Sequence, residues 1–100
     1  SWLGSFEADM RSTVYHREIR RSSLAGADYE IICRETGTSA RRDSFTLYGR
    51  ATSSDRISIY ARSEETDDGW AYVREGYVKT AKGFIEKYDD GLTGYDFSRR

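Results

Sequence analysis

Proline is absent from this 100-residue chain, and cysteine, histidine and methionine occur once each. Without proline, turns must be made by glycine and by short polar clusters. A single thiol, Cys33, cannot close an internal disulfide. That excludes a disulfide-stapled scaffold and suits a reducing setting, so an intracellular, cytoplasmic location is expected. A lone His16, far in sequence from the lone cysteine, offers no metal-ligand spacing, and no metal site is expected. No apolar run approaches the roughly 20 residues that cross a bilayer, so no membrane insertion is expected. The opening SWLGSF carries no secretory signal pattern. The net charge of −1 gives duplex DNA binding no support from bulk charge. There is no glycine-rich phosphate loop, nucleophile elbow or pair of catalytic carboxylates, and the chain reads as a non-enzyme without a cofactor.

What is present is charge and aromatic surface. Charged residues make up 33% and mean hydropathy is −0.79, so much of the surface is solvated. The 14% of aromatic residues argues against a disordered chain. The expected organisation is a single domain, 1–100, with an ordered core over about residues 5–90 and a tail over 91–100 docked through Tyr95 and Phe97 or frayed.

Turn signals lie at Ser22–Asp28, Thr36–Asp43 and Thr52–Asp55. Between them, Ser12–Arg21, Asp28–Thr36, Asp43–Ala51 and Asp55–Ser63 are rich in β-branched and aromatic residues. Phe45, Leu47, Gly49 and Ala51 alternate with Thr46, Tyr48 and Arg50, and Ile57, Ile59 and Ala61 alternate with Ser58, Tyr60 and Arg62. Period-two alternation marks half-buried strands. An odd-length loop at Thr52-Ser53-Ser54, pairing Leu47 with Ile59, keeps both apolar sets on one face, because a one-residue slip inverts every side chain.

The C-terminal third follows a different period. Trp70, Val73, Tyr77, Ala81, Phe84, Ile85 and Tyr88 form one stripe on a helical wheel, with Glu75, Lys79, Lys82 and Glu86 opposite. The spacing predicts a helix over 67–89, capped by Glu64–Asp68 and stopped at Gly91. Gly69, Gly76 and Gly83 count against it, since interior glycines cost roughly 0.5–1 kcal/mol each. The rival reading is a hairpin, in which GWAYVREGYVKT resembles the Trp-x-x-Val…Gly-Tyr-Val pattern of bacterial SH3-like domains. Trp2, Leu3, Phe6, Met10 and Val14 also follow helical spacing and predict a short leading helix. The expected fold is therefore α+β: a four-stranded antiparallel sheet with one face covered by a long C-terminal helix. That helix, about 34 Å long, overhangs a sheet about 19 Å across, which predicts self-association or partner docking.

Four tetrads share one form: Val14-Tyr15-His16-Arg17, Ile31-Ile32-Cys33-Arg34, Leu47-Tyr48-Gly49-Arg50 and Ile59-Tyr60-Ala61-Arg62. First and third positions are assigned to the core. Second and fourth positions then form an opposite face carrying Tyr15, Arg17, Arg34, Tyr48, Arg50, Tyr60 and Arg62. Arginine stacks on rings and binds carboxylates and phosphates; tyrosine presents a flat body with a polar tip. Such residues are ordinary on a half-wet sheet, and they are equally the residues of a binding face. Cys33 is expected to be a buried thiol, and His16 structural.

A ββββα unit ending in an amphipathic helix resembles the PUR-repeat and Whirly group of single-stranded nucleic-acid binders. Lys82-Gly83-Phe84-Ile85-Glu86-Lys87-Tyr88 looks like the end of a PUR-repeat helix, and the resemblance covers roughly Thr13–Tyr88. It implies paired units whose curved sheets bind single strands. The functional expectation is a non-catalytic module that contacts a protein partner or a second copy of itself through the Tyr/Arg face and the helix. The alternative is single-stranded DNA or RNA stacked on Tyr15, Tyr48 and Tyr60, with phosphates on Arg17, Arg34, Arg50 and Arg62.

Overall fold

The alternating segments form strands, and so does nearly everything else. In the computed structural model, which describes residues 1–100, eight strands follow one another: β1 Gly4–Met10, β2 Thr13–Arg21, β3 Tyr29–Thr36, β4 Phe45–Ser53, β5 Arg56–Arg62, β6 Trp70–Lys79, β7 Gly83–Tyr88 and β8 Thr93–Arg99. Each pairs antiparallel with the next. β8 returns to β1 through Phe6↔Arg99 and Glu7↔Ser98, closing a barrel. Closure leaves no sheet edge open to template another chain. The radius of gyration, 13.3 Å, is close to the ~13 Å expected of a compact chain this long.

A barrel has an inside and an outside rather than a covered and an open face. Ile19, Ile31, Cys33, Ile57, Ile59, Tyr77, Phe84 and Phe97 fill the inside. One end is plugged. Phe84 stacks on Tyr77 at 4.4 Å and on Phe97 at 4.8 Å, meets the edge of Phe6 at 5.0 Å, and lies 5.9 Å from Trp2, which closes the base. Arg99 bonds back to the carbonyls of Ser1 and Leu3, both at 2.7 Å, and lies over the Phe6 ring. The end carrying the β1–β2, β3–β4, β5–β6 and β7–β8 connections has no such plug.

Several expectations are overturned. There is no helix, so the α+β class and the four-stranded sheet give way to an all-β barrel. The stretch expected to be a helix over 67–89 is β6, a turn and β7, and the overhang that motivated self-association does not exist. GWAYVREGYVKT is not a hairpin either; it falls almost wholly within β6. The leading helix is β1, joined to β2 by a two-residue turn whose Arg11 has a φ of 58°. Thr93–Arg99, read as a tail, is the closing strand.

The β4–β5 register differs by two residues from the expected one: Gly49, not Leu47, faces Ile59, and Tyr48 faces Tyr60. A shift of two preserves the faces. The turn itself is the tight pair Ser54-Asp55, and the odd residue sits in a bulge between Ala51 and Ser53.

A candidate ligand cup at the open end of the barrel

The Tyr/Arg residues divide between the two sides of the barrel wall. Tyr48, Arg50, Tyr60 and Arg62 point outward, as their alternation implies, and Tyr72 extends the rung: Tyr48↔Tyr60↔Tyr72. What lies against this face is the chain itself. Trp70, pointing outward from β6 yet only 8% exposed, meets the Tyr48 ring edge-on at 5.1 Å. Arg62 stacks over Trp70 at 4.3 Å and Arg50 over Tyr60 at 3.9 Å. The β2–β3 connection folds down onto the stack: Arg50 Nε donates to the Gly26 carbonyl at 2.6 Å, and Asp28 accepts from the Ala51 amide at 2.8 Å. Gly26 sits against the Trp70 indole with a φ of 96°, where a side chain would be strained and would collide with the ring. Arg34 lies apart on β3, four residues beyond Glu30, the partner of Tyr48.

Tyr15 and Arg17 point inward, against expectation. The tetrad Val14-Tyr15-His16-Arg17 suggests Val14 and His16 as core, but Ile19 shares the parity of Tyr15 and Arg17 and is 2% exposed. Ile19 sets the register, and it carries an arginine inside. His16 turns outward and ties three strands together, Nδ1 to Glu7 at 3.1 Å and Nε2 to the Thr36 hydroxyl at 2.9 Å.

Buried Arg17 forms the floor of a cavity. Its Nε donates to the Tyr77 hydroxyl at 3.3 Å, its Nη1 to the His16 carbonyl at 3.1 Å, and its Nη2 lies 3.6 Å from Glu86. The guanidinium also lies over Phe97 at 5.0 Å. Burial opposes its charge, but the surrounding Tyr77, Cys33 and Glu86 raise its pKa on balance. Glu86, 4% exposed, accepts from the Tyr95 amide at 3.0 Å. A buried carboxylate needs this ion pair and this donor to be tolerated.

Above the floor, the cavity holds ≈ 500 Å³ and opens between Tyr15, Phe45, Leu47, Val73, Tyr88 and Tyr95. Tyr15 and Tyr95 stack at 4.2 Å with their hydroxyls bonded at 2.9 Å. That bond, donated by Tyr95, pushes the Tyr95 phenol up to about 12. The mouth carries Glu35 and Arg42, the latter 3.9 Å above the Phe45 ring.

A backbone irregularity builds one wall. Ser58 pairs with Gly76 and Tyr60 with Tyr72, so Val73, Arg74 and Glu75 together oppose Ile59. Arg74 takes a φ of 64° to make this bulge, and its carbonyl accepts from the Asp89 amide at 3.0 Å. The two extra residues bend the strand but keep its alternation in phase: Tyr72 faces out, and both Val73 and Glu75 reach the cavity. The Glu75 carboxyl forms no hydrogen bond or ion pair with the protein. Burial, reinforced by Glu86 and opposed by Arg17, pushes its carboxyl up to about 7. Cys33 below is fully buried, its thiol pushed up to about 11 by burial, which removes it as a nucleophile. No group of three or more His, Cys, Asp or Glu side chains is placed to hold a metal ion.

The chain matches no family model, no curated protein and no solved structure.

Of the seven expected site residues, Tyr48, Arg50, Tyr60 and Arg62 come together outside, Tyr15 and Arg17 line the cavity, and Arg34 joins neither. Glu75, Glu86, Tyr88 and Tyr95 escaped sequence reading because they fell in the supposed helix and tail. The available signal was Phe84-x-Glu86-x-Tyr88, a period-two run with a charge at its centre.

Proposed function

We propose that this protein is a non-catalytic binding protein that holds one small molecule in the open end of its barrel. Eight-stranded barrels have room either for side chains alone or for one small ligand. The observation that carries the reading is the ≈ 500 Å³ cavity over a fixed Arg17, walled by aromatic rings and bordered by a carboxyl the protein leaves without a partner. Ligand sites combine apolar walls with a few convergent polar groups in this way, in cavities of about 300–1,000 Å³. The wall that holds Glu75 is made by a non-glycine residue in the left-handed region, and such conformations gather at functional sites. The test is saturable binding of one small molecule per chain, abolished by Leu47→Trp, which fills the cup from its own wall. Binding that survives the filled cup would contradict the reading.

The outer Tyr/Arg face supports a second reading: contact with a protein partner, or with single-stranded nucleic acid, through Tyr48, Tyr60, Arg50 and Arg62. Tyr72, 43% exposed, continues the Tyr48–Tyr60 rung into solvent and favours it. It ranks second because Arg50 and Arg62 are already stacked on the protein's own rings, and because Tyr15 and Arg17 face inward. Binding to an oligonucleotide that weakens steeply with salt would support the nucleic-acid form. An intracellular setting stays part of this proposal, on the single free Cys33. No helix is long and apolar enough to cross a membrane.

A further inference from the structure

The charges around the cup pair off with one left over. Arg17 and Glu86 oppose each other on the floor at 3.6 Å. Arg42 and Glu35 sit at the mouth, one of each sign. Glu75 has no counterpart. The groups facing it are Arg17 from β2, Cys33 from β3, and Glu86 and Tyr88 from β7, and Arg17, the one cation among them, is matched by Glu86. An anionic ligand would add a second uncompensated negative charge to a partly dry site. A cation would bring the cup to neutrality and supply the hydrogen bonds that Glu75 lacks. The walls above carry the rings of Tyr15, Phe45, Tyr88 and Tyr95; a ring's negative face attracts a cation, and the rings accept a flat apolar body.

We propose, building on the ligand-cup reading, that the cup selects a small organic cation: a protonated amine carried on a flat, apolar body. The ammonium group bonds Glu75, and the body lies against the tyrosine wall. Arg17 serves as the fixed counter-charge that keeps Glu86 from competing for the ligand. Because the Glu75 carboxyl is held at about 7 in the empty cup, the cation must displace its proton below that pH. Binding therefore strengthens as pH rises through neutrality, until the amine itself loses its charge.

Three probes with one ring system and different charge test this: tryptamine, indole-3-ethanol and indole-3-acetate, titrated by calorimetry into the intact protein. Tryptamine is expected to bind at least about tenfold more tightly than the alcohol at about pH 8, and about tenfold more weakly at about pH 6 than at about pH 8. Glu75→Gln, which keeps shape and removes charge, should erase both differences. The carboxyl carbon of Glu75, followed by NMR, should titrate at lower pH once tryptamine is bound. Equal affinities, or tightest binding of the acetate, would overturn the cation assignment while the cup reading stands. Failure of all three to bind, with the barrel folded, would count against the cup itself.

Discussion

The Arg17 guanidinium meets the Tyr77 hydroxyl at 3.3 Å in the middle of the barrel, across sixty residues of sequence. The contact separates the two halves of the interior: aromatic rings below it, the polar cup above. It also explains how a charged side chain can be 8% exposed, since Tyr77, the His16 carbonyl and Glu86 all face it. Arg17→Met should cost about 3–5 kcal/mol in urea unfolding, because Glu86 is left buried and unpaired. Adding Glu86→Gln should recover at least about 1 kcal/mol, since the stranded charge is then gone. Equal stability of the single and double variants would show that the pair is not coupled.

Glu75 makes stability depend on pH. Its carboxyl stands at about 7 in the folded chain against an ordinary 4.5. Below the ordinary value it is neutral in both states. Between the two values the folded chain keeps a proton that the unfolded chain releases, so this stabilising term is lost as pH rises through about 7, a fall on the order of 2–3 kcal/mol. Glu75→Gln should match the parent at about pH 4.5 and exceed it at about pH 8, read as a difference in thermal midpoint. Parallel curves would contradict the assignment.

Arg74 holds the cup's bulge at a φ of 64°. For a residue with a Cβ this conformation costs about 1 kcal/mol, and more for a β-branched one. Arg74→Gly should leave stability unchanged or raise it by about 0.5–1 kcal/mol. Arg74→Val should lower it by about 1–2 kcal/mol and weaken ligand binding as the Glu75 wall shifts. Denaturant midpoints of the two variants check the order.

The outer stack is a structural device in this account. Trp70→Ala removes the ring on which Arg62 and Tyr48 rest and should cost about 3 kcal/mol. Hydrogen exchange should speed up at Asp28 and Ser22, whose amides bond Gly49 and Asp28 respectively. Ligand affinity of the cup should not change, because the stack lies outside the wall.

Strand alternation was legible where the inside is apolar. Ile31 and Cys33, Leu47 and Gly49, and Ile57 and Ile59 face inward as their pattern requires. It failed where the inside is polar. β7 places Glu86 inside and leaves Ile85 on the outer side, so hydrophobicity alone points the wrong way. In β6 the alternation stays in phase, with Trp70 and Tyr72 outside and Val73, Glu75 and Tyr77 inside, but it puts an indole outside and a carboxyl inside. The change of phase across the turn after Lys79, from Tyr77 to Phe84 on the inside, then imitated a period of 3.6 over Trp70–Tyr88. The glycines carried a real signal: Gly76 packs against the Ile57 carbonyl and Gly83 against that of Phe97, close approaches of neighbouring strands that a helix would not require. On β2 the same polar interior inverted the reading of Tyr15 and Arg17. The residues that hid the fold are the ones that build the site.

The central claim is that small molecules enter the barrel at Arg17 rather than collect on its outer Tyr/Arg face. Protein-observed NMR during titration with tryptamine tests it most directly. The account predicts saturable shifts concentrated at the Arg17 Nε–H, the Tyr95 amide and the Glu75 amide, with Trp70 and Arg50 unmoved. Shifts confined to Trp70, Arg50 and Tyr60, with the Arg17 and Tyr95 signals unchanged, would contradict it.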